Sequence, residues 1–103
     1  MVKTFDLTDD EHRVFAFEVG NTLLTRRKVC KIVSDIDGVT VLREPKVFRL
    51  SQEDDETFCE FEVDGVTFEA CEPFGDNSRY WIGPKNGKWS PQSDKVREAF
   101  VRA

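Results

Sequence analysis

Residues 57 to 71 read TFCEFEVDGVTFEAC. Two alternating apolar runs flank Asp64-Gly65, a residue pair suited to the positive-φ backbone of a tight hairpin turn. A two-residue turn fixes the register, so Val63 faces Val66, Phe61 faces Phe68 and Cys59 faces Ala70. These six side chains share one face, which must meet a core. The other face then carries Phe58, Glu60, Glu62, Thr67, Glu69 and Cys71. Glu60 lands opposite Glu69, and like charges across a strand pair are unfavourable. A metal held by Glu60, Glu62 and Glu69 would relieve this, but a Lys or Arg from a neighbouring strand does so more simply. No metal and no cofactor is expected.

The rest of the chain supplies partners for this hairpin. RVFAFEV (13–19) reads as a strand with Phe15, Phe17 and Val19 on one face. Gly20-Asn21 stops it, and Asn21 or Thr22 is expected to cap a helix running to about Ile36. On that helix Val29, Cys30, Ile32, Val33 and Ile36 form the apolar half, with Leu23 at its margin, and Arg27, Lys28 and Lys31 the basic outer face. Arg26 projects into the apolar half and calls for a carboxylate on the facing sheet or a route to the edge. VTVLR (39–43) and KVFRL (46–50) read as strands interrupted by Pro45, and SQEDDE (51–56) as an acidic loop. Ser90-Pro91 opens a final helix whose Val96, Ala99, Phe100 and Ala103 make a buried stripe. These elements specify an α+β fold: a two-layer sandwich of a mostly antiparallel sheet, with two helices packed on one face. At 103 residues, with 39% hydrophobic side chains and nine Phe, one domain spanning 1–103 with one core is expected.

Charge and cysteine usage narrow the function. The net charge of -5 repels phosphate backbones, and the basic face of the first helix is short, so no nucleic-acid partner is expected. No apolar run approaches membrane-span length and the acidic start MVKTFDLTDD lacks a signal-peptide pattern, so the expectation is a cytoplasmic protein without a membrane partner. Cys30, Cys59 and Cys71 lack paired short spacings, which argues against a disulfide framework or zinc site and predicts three reduced thiols. The single histidine, His12, sits in the charged segment TDDEHR and reads as a solvated side chain of an acidic turn.

The stretch EPFGDNSRYWIGP (72–84) concentrates aromatics, acids and turn formers. Carrying the hairpin register forward, with Glu72 paired to Arg79 around a Pro73–Ser78 loop, sets Cys71 opposite Tyr80 and Ala70 opposite Trp81. Trp81 is then a core anchor, while Tyr80 and Ile82 join Phe58 and Cys71 on the outer face. The favoured function is non-enzymatic binding of a protein partner, or self-association, through the outer face and the 72–82 hairpin. The candidate residues are Phe58, Glu60, Glu69, Glu72, Asp76, Asn77, Arg79 and Tyr80. The alternative is a small enzyme in which Glu72, Asp76 and Arg79 act as acid/base and anion-clamp groups, with Asn77 orienting the substrate.

Overall fold

The Asp64-Gly65 turn forms where the sequence demands it. Both residues have positive φ, 50° and 89°, the backbone that closes a two-residue hairpin without splaying its strands. The strands on either side are β4 (Thr57–Val63) and β5 (Val66–Cys71). They pair as expected: Val63 with Val66, Phe61 with Phe68, Cys59 with Ala70, and Glu60 opposite Glu69. The computed structural model describes residues 2–22, 24–43, 57–72 and 78–103. The expected strand at 46–50, Pro45, the acidic loop at 51–56, Leu23 and the loop residues 73–77 lie outside them.

Four further strands complete the sheet: β1 (Phe5–Thr8), β2 (Val14–Gly20), β3 (Val39–Arg43) and β6 (Arg79–Pro84). The order is β1-β2-β6-β5-β4-β3, with every neighbouring pair antiparallel. Two helices, α1 (Arg26–Ser34) and α2 (Pro91–Arg102), pack on one face, giving an α+β fold. The core lies between the layers. It joins Val29, Ile32 and Val33 of α1 and Val96 and Phe100 of α2 to Phe17, Val19, Phe61, Phe68 and Ile82 of the sheet. Phe17 meets Phe100 edge-on at 5.3 Å between ring centroids.

Helix α1 starts later than Asn21 or Thr22. Thr25 is its N-cap, and its hydroxyl accepts from the Lys28 backbone N–H. The sheet explains the delay. Gly20 still pairs with Arg79, and the Asn21 N–H donates to the Ser78 carbonyl, so the chain is held in the sheet plane and needs several residues to climb into the helix layer. Its apolar half is as expected: Val29, Cys30, Ile32, Val33 and Ile36 are all buried, while Arg27, Lys28 and Lys31 are exposed. His12 is exposed in a turn at φ 64°, where the Asp9 carboxylate accepts from the Glu11 and Arg13 backbone N–H groups.

Two placements differ from the sequence reading. A β-bulge between Thr57 and Cys59 inserts one residue into β4, so that Phe58 and Cys59 both turn to the core side. Phe58 is 1% exposed, not a member of the outer face. Strand β6 pairs with β5 one residue out of the expected register: Cys71 faces Trp81, Ala70 faces Ile82 and Phe68 faces Pro84. Tyr80 is therefore buried at 5% exposure, Ile82 is fully buried, and Trp81 stands on the opposite face. The deciding contact is with β2. Phe17 and Val19 pair with Ile82 and Tyr80, and burying the first two carries the second two into the core. Period-two alternation also ties Arg79 to the face of Trp81, so a buried Trp81 would have buried a guanidinium.

Candidate functional site

The slip in β6 gives the outer face a different centre. Trp81 is half-buried there and lies along its own strand over Gly83. An ideal Cβ on Gly83 would stand 2.6 Å from Trp81 Cη2 and 2.7 Å from the Ala16 methyl of β2. Gly83 is thus a floor for the indole, and Ala16 beside it is 1% exposed although it faces away from the helices. Phe5 and Leu7 of β1 continue this patch, opposite Glu18 and Ala16. Among the described residues, neither helix covers this face; both bury their apolar sides in the core beneath.

Charged side chains frame the indole. Arg79 pairs with Glu18 at 3.1 Å, and its guanidinium carbon sits 3.6 Å from the Phe5 ring centroid. The opposed Glu60 and Glu69 are relieved by a cation that follows β6, the simpler of the two remedies the sequence offered. Lys85 Nζ donates to Glu60 at 2.6 Å, and Thr57 donates its hydroxyl hydrogen bond to Glu69 at 3.2 Å. The Glu60 hydrogen bond, its charge and the further charge of Glu69 hold the Lys85 ammonium above its ordinary pKa. Among the described residues, no group of three or more His, Cys, Asp or Glu is arranged to hold a metal ion.

Three nominated residues converge elsewhere, on the helix side beneath the N-terminus of α1. Of the two routes open to Arg26, the structure takes the facing carboxylate: its Nε and Nη2 donate to Glu72 Oε1 at 3.0 and 2.6 Å. Asn21 donates to Glu72 Oε2 at 3.3 Å. The Arg26 guanidinium also lies 5.1 Å from the Phe58 ring centroid, and Phe58 meets Tyr80 edge-on at 5.1 Å. Burial pushes the Tyr80 phenol above its ordinary pKa; the Glu72 charge adds to this and Arg26 opposes it. Glu72 has both oxygens engaged, which suits an anchor between the layers rather than a proton acceptor.

The expected Glu72–Arg79 closure does not form, because the two residues serve opposite faces: Glu72 pairs with Arg26 and Arg79 with Glu18. The acid/base and clamp groups of the enzymatic alternative are therefore not brought together by this pair, and Asp76 and Asn77 lie outside the described residues. Sequence reasoning missed two features. Trp81 stands on the outer face, a placement signalled by Arg79 two residues before it. Cys30 and Cys59 touch across the core, with Sγ atoms 2.8 Å apart, for which α1's apolar stripe and the hairpin register together held the signal. Cys71, as expected, points away from Cys59. No described helix is long and apolar enough to cross a membrane. Comparison with family models, curated proteins and solved structures returns no match.

Proposed function

We propose that this chain is a non-enzymatic binding domain whose outer sheet face, centred on Trp81 of the β5–β6 hairpin, docks a basic, apolar-tipped segment of a protein partner in the cytosol. The observation that carries the reading is the indole laid over Gly83 and Ala16 on a face that neither helix covers. An aromatic held flat by its neighbours contributes contact area with little ordering cost, and such residues are enriched at binding hot spots. Glu18, Glu60, Glu62 and Glu69 occupy the strands around it, so cationic side chains at the rim of a docked segment have carboxylates to meet. The acidic chain and the odd cysteine count favour the cytosolic setting.

Selection from a displayed random-peptide library tests this. Binders are expected to be enriched in Lys or Arg around an apolar residue. They should weaken as salt is raised, change Trp81 emission in a Trp89→Phe background, and lose affinity on Trp81→Ala. Binding that survives Trp81→Ala and fails instead on Arg27→Ala would refute the outer-face reading. A concentration-dependent dimer that Trp81→Ala dissociates would replace the basic segment with a second copy of the chain.

A further inference from the structure

Cys30 lies on the buried side of α1 and Cys59 on the core side of β4, 29 positions apart in sequence. Their Sγ atoms are 2.8 Å apart, closer than two sulfurs that merely pack and about 0.8 Å beyond the roughly 2.0 Å bond of a disulfide. The juxtaposition follows from the fold. The Val63–Val66 turn puts Cys59 inward, and the helical stripe that buries Val29 and Val33 puts Cys30 against it. Cys71 occupies the other face opposite Trp81, so it does not compete for either sulfur. We propose that Cys30 and Cys59 form a reversible dithiol–disulfide pair, oxidised by a hydroperoxide, that cross-links α1 to β4.

Cys30 is 5% exposed and Cys59 is not exposed at all, which sets the order of the chemistry. The Cys30 sulfur attacks the peroxide: an S–O bond forms, the O–O bond breaks, and the leaving oxygen takes up the thiol proton. With hydrogen peroxide this gives a sulfenic acid and water. The Cys59 sulfur then attacks the sulfenic sulfur. The S–S bond forms, the S–O bond breaks, and the departing hydroxide leaves as water with the Cys59 proton. Two thiols and one peroxide become one disulfide and two waters. Burial restricts the access of peroxide and makes the pair slow to oxidise. The same burial slows, without preventing, reduction of the product.

The test treats the folded chain, in a Cys71→Ser background, with hydrogen peroxide, quenches with a thiol-blocking reagent, and reads intact mass and proteolytic fragments without reductant. The expected result is a loss of two hydrogens (about two mass units), a fragment linking Cys30 to Cys59, and reversal by dithiothreitol. The urea midpoint should rise by roughly 1–2 M on cross-linking. Cys30→Ala should abolish the mass loss; should that variant not fold, the linked fragment decides alone. Stepwise oxygen addition with no linked fragment would overturn the proposal. So would a cross-link that appears only in denaturant.

Discussion

Replacing Gly83 with alanine asks whether the indole lies where the outer face needs it. The new methyl would stand 2.6 Å from Trp81 Cη2, 2.8 Å from Cζ2 and 2.7 Å from the Ala16 Cβ. Carbon atoms rest at about 3.5–4.0 Å, so each neighbour must yield by roughly 1 Å. The indole can swing outward and surrender its contact with Gly83. The Ala16 methyl cannot, because it is fixed to the backbone of β2, and β2 must part slightly from β6. Overpacking of this kind costs about 1–3 kcal/mol. The smaller conformational freedom of alanine in the unfolded chain offsets about 0.4–1 kcal/mol. A net loss of about 1–2 kcal/mol is expected, or a fall in Tm of roughly 5–15 °C for a domain of this size. Urea melts in a Trp89→Phe background measure the loss, and Trp81 emission in the folded state should shift to the red. Trp81→Ala removes two of the three contacts, so the double variant should cost less than the sum of the singles by about 0.5–1 kcal/mol. A Gly83→Ala protein as stable as its parent, with unmoved Trp81 emission, would show that the indole does not rest on Gly83. The proposed docking surface would fall with it.

The opposite placements of neighbouring aromatics should separate in denaturant melts: Tyr80→Ala should cost about 3–5 kcal/mol and Trp81→Ala about 1–2 kcal/mol, and the reverse order would refute the register of β6. Tyr80 is the single tyrosine, so ultraviolet titration of the phenol reports it alone; its midpoint should lie above the ordinary 10.0 and drop on Glu72→Gln. Because the folded pKa is raised, stability from this group is intact below the unfolded value and is lost as pH rises from there through the folded one. The Arg97 hydrogen bond holds the Asp6 carboxyl below its ordinary value, so its contribution is present above about pH 3.9 and is lost as pH falls through the folded pKa; carboxyl NMR on the parent and Arg97→Gln checks both. Lys85→Ala leaves Glu60 opposite Glu69 without the ammonium, so the urea midpoint should fall and recover when Glu69→Gln is added.

The parts of this fold that were legible in the sequence are those fixed by local chemistry. Asp64-Gly65 determines its own turn, and the turn determines the pairing from Val63 to Cys59. The apolar stripe from Val29 to Ile36 identifies the buried side of α1, and Arg26 at its start calls for either a carboxylate or a route to the edge, of which the carboxylate of Glu72 is the outcome. What was not legible depends on pairs distant in sequence. The bulge that turns Phe58 inward leaves no residue signature such as glycine at its position. The register of β6 against β5 depends on the length of the loop between them, whereas β2 fixes it through Phe17–Ile82 and Val19–Tyr80. The Cys30–Cys59 contact needed the angle at which α1 crosses the sheet. For the same reason the nominated residues divide: of the six that are described, Phe58, Glu72 and Tyr80 gather under α1, while Glu60, Glu69 and Arg79 lie on the outer face with Trp81 in place of Tyr80.

The charge pairs divide the labour between the two faces. Arg26–Glu72 ties α1 to the end of β5, Asp6–Arg97 ties edge strand β1 to α2, and Lys95–Asp64 ties α2 to the hairpin turn. All three span the layers at the rim of the core, where water still reaches them. Exposed pairs of this kind add little net stability. Their value is geometric, because a helix sliding on a greasy sheet keeps most of its apolar contact but must break a charge-assisted hydrogen bond to do so. Three such pins at separate points of the rim fix the position of both helices on the sheet. On the outer face the pairs run within the sheet instead. Glu18–Arg79 joins β2 to β6, and Glu60–Lys85 joins β4 to the residue following β6. Each lets acidic side chains share a sheet surface without drawing a helix over it. The indole of Trp81 lies on that same face, braced from below by Gly83 and Ala16. Helix placement is thus specified on one side without consuming the aromatic on the other, and the proposed docking of a partner relies on that separation.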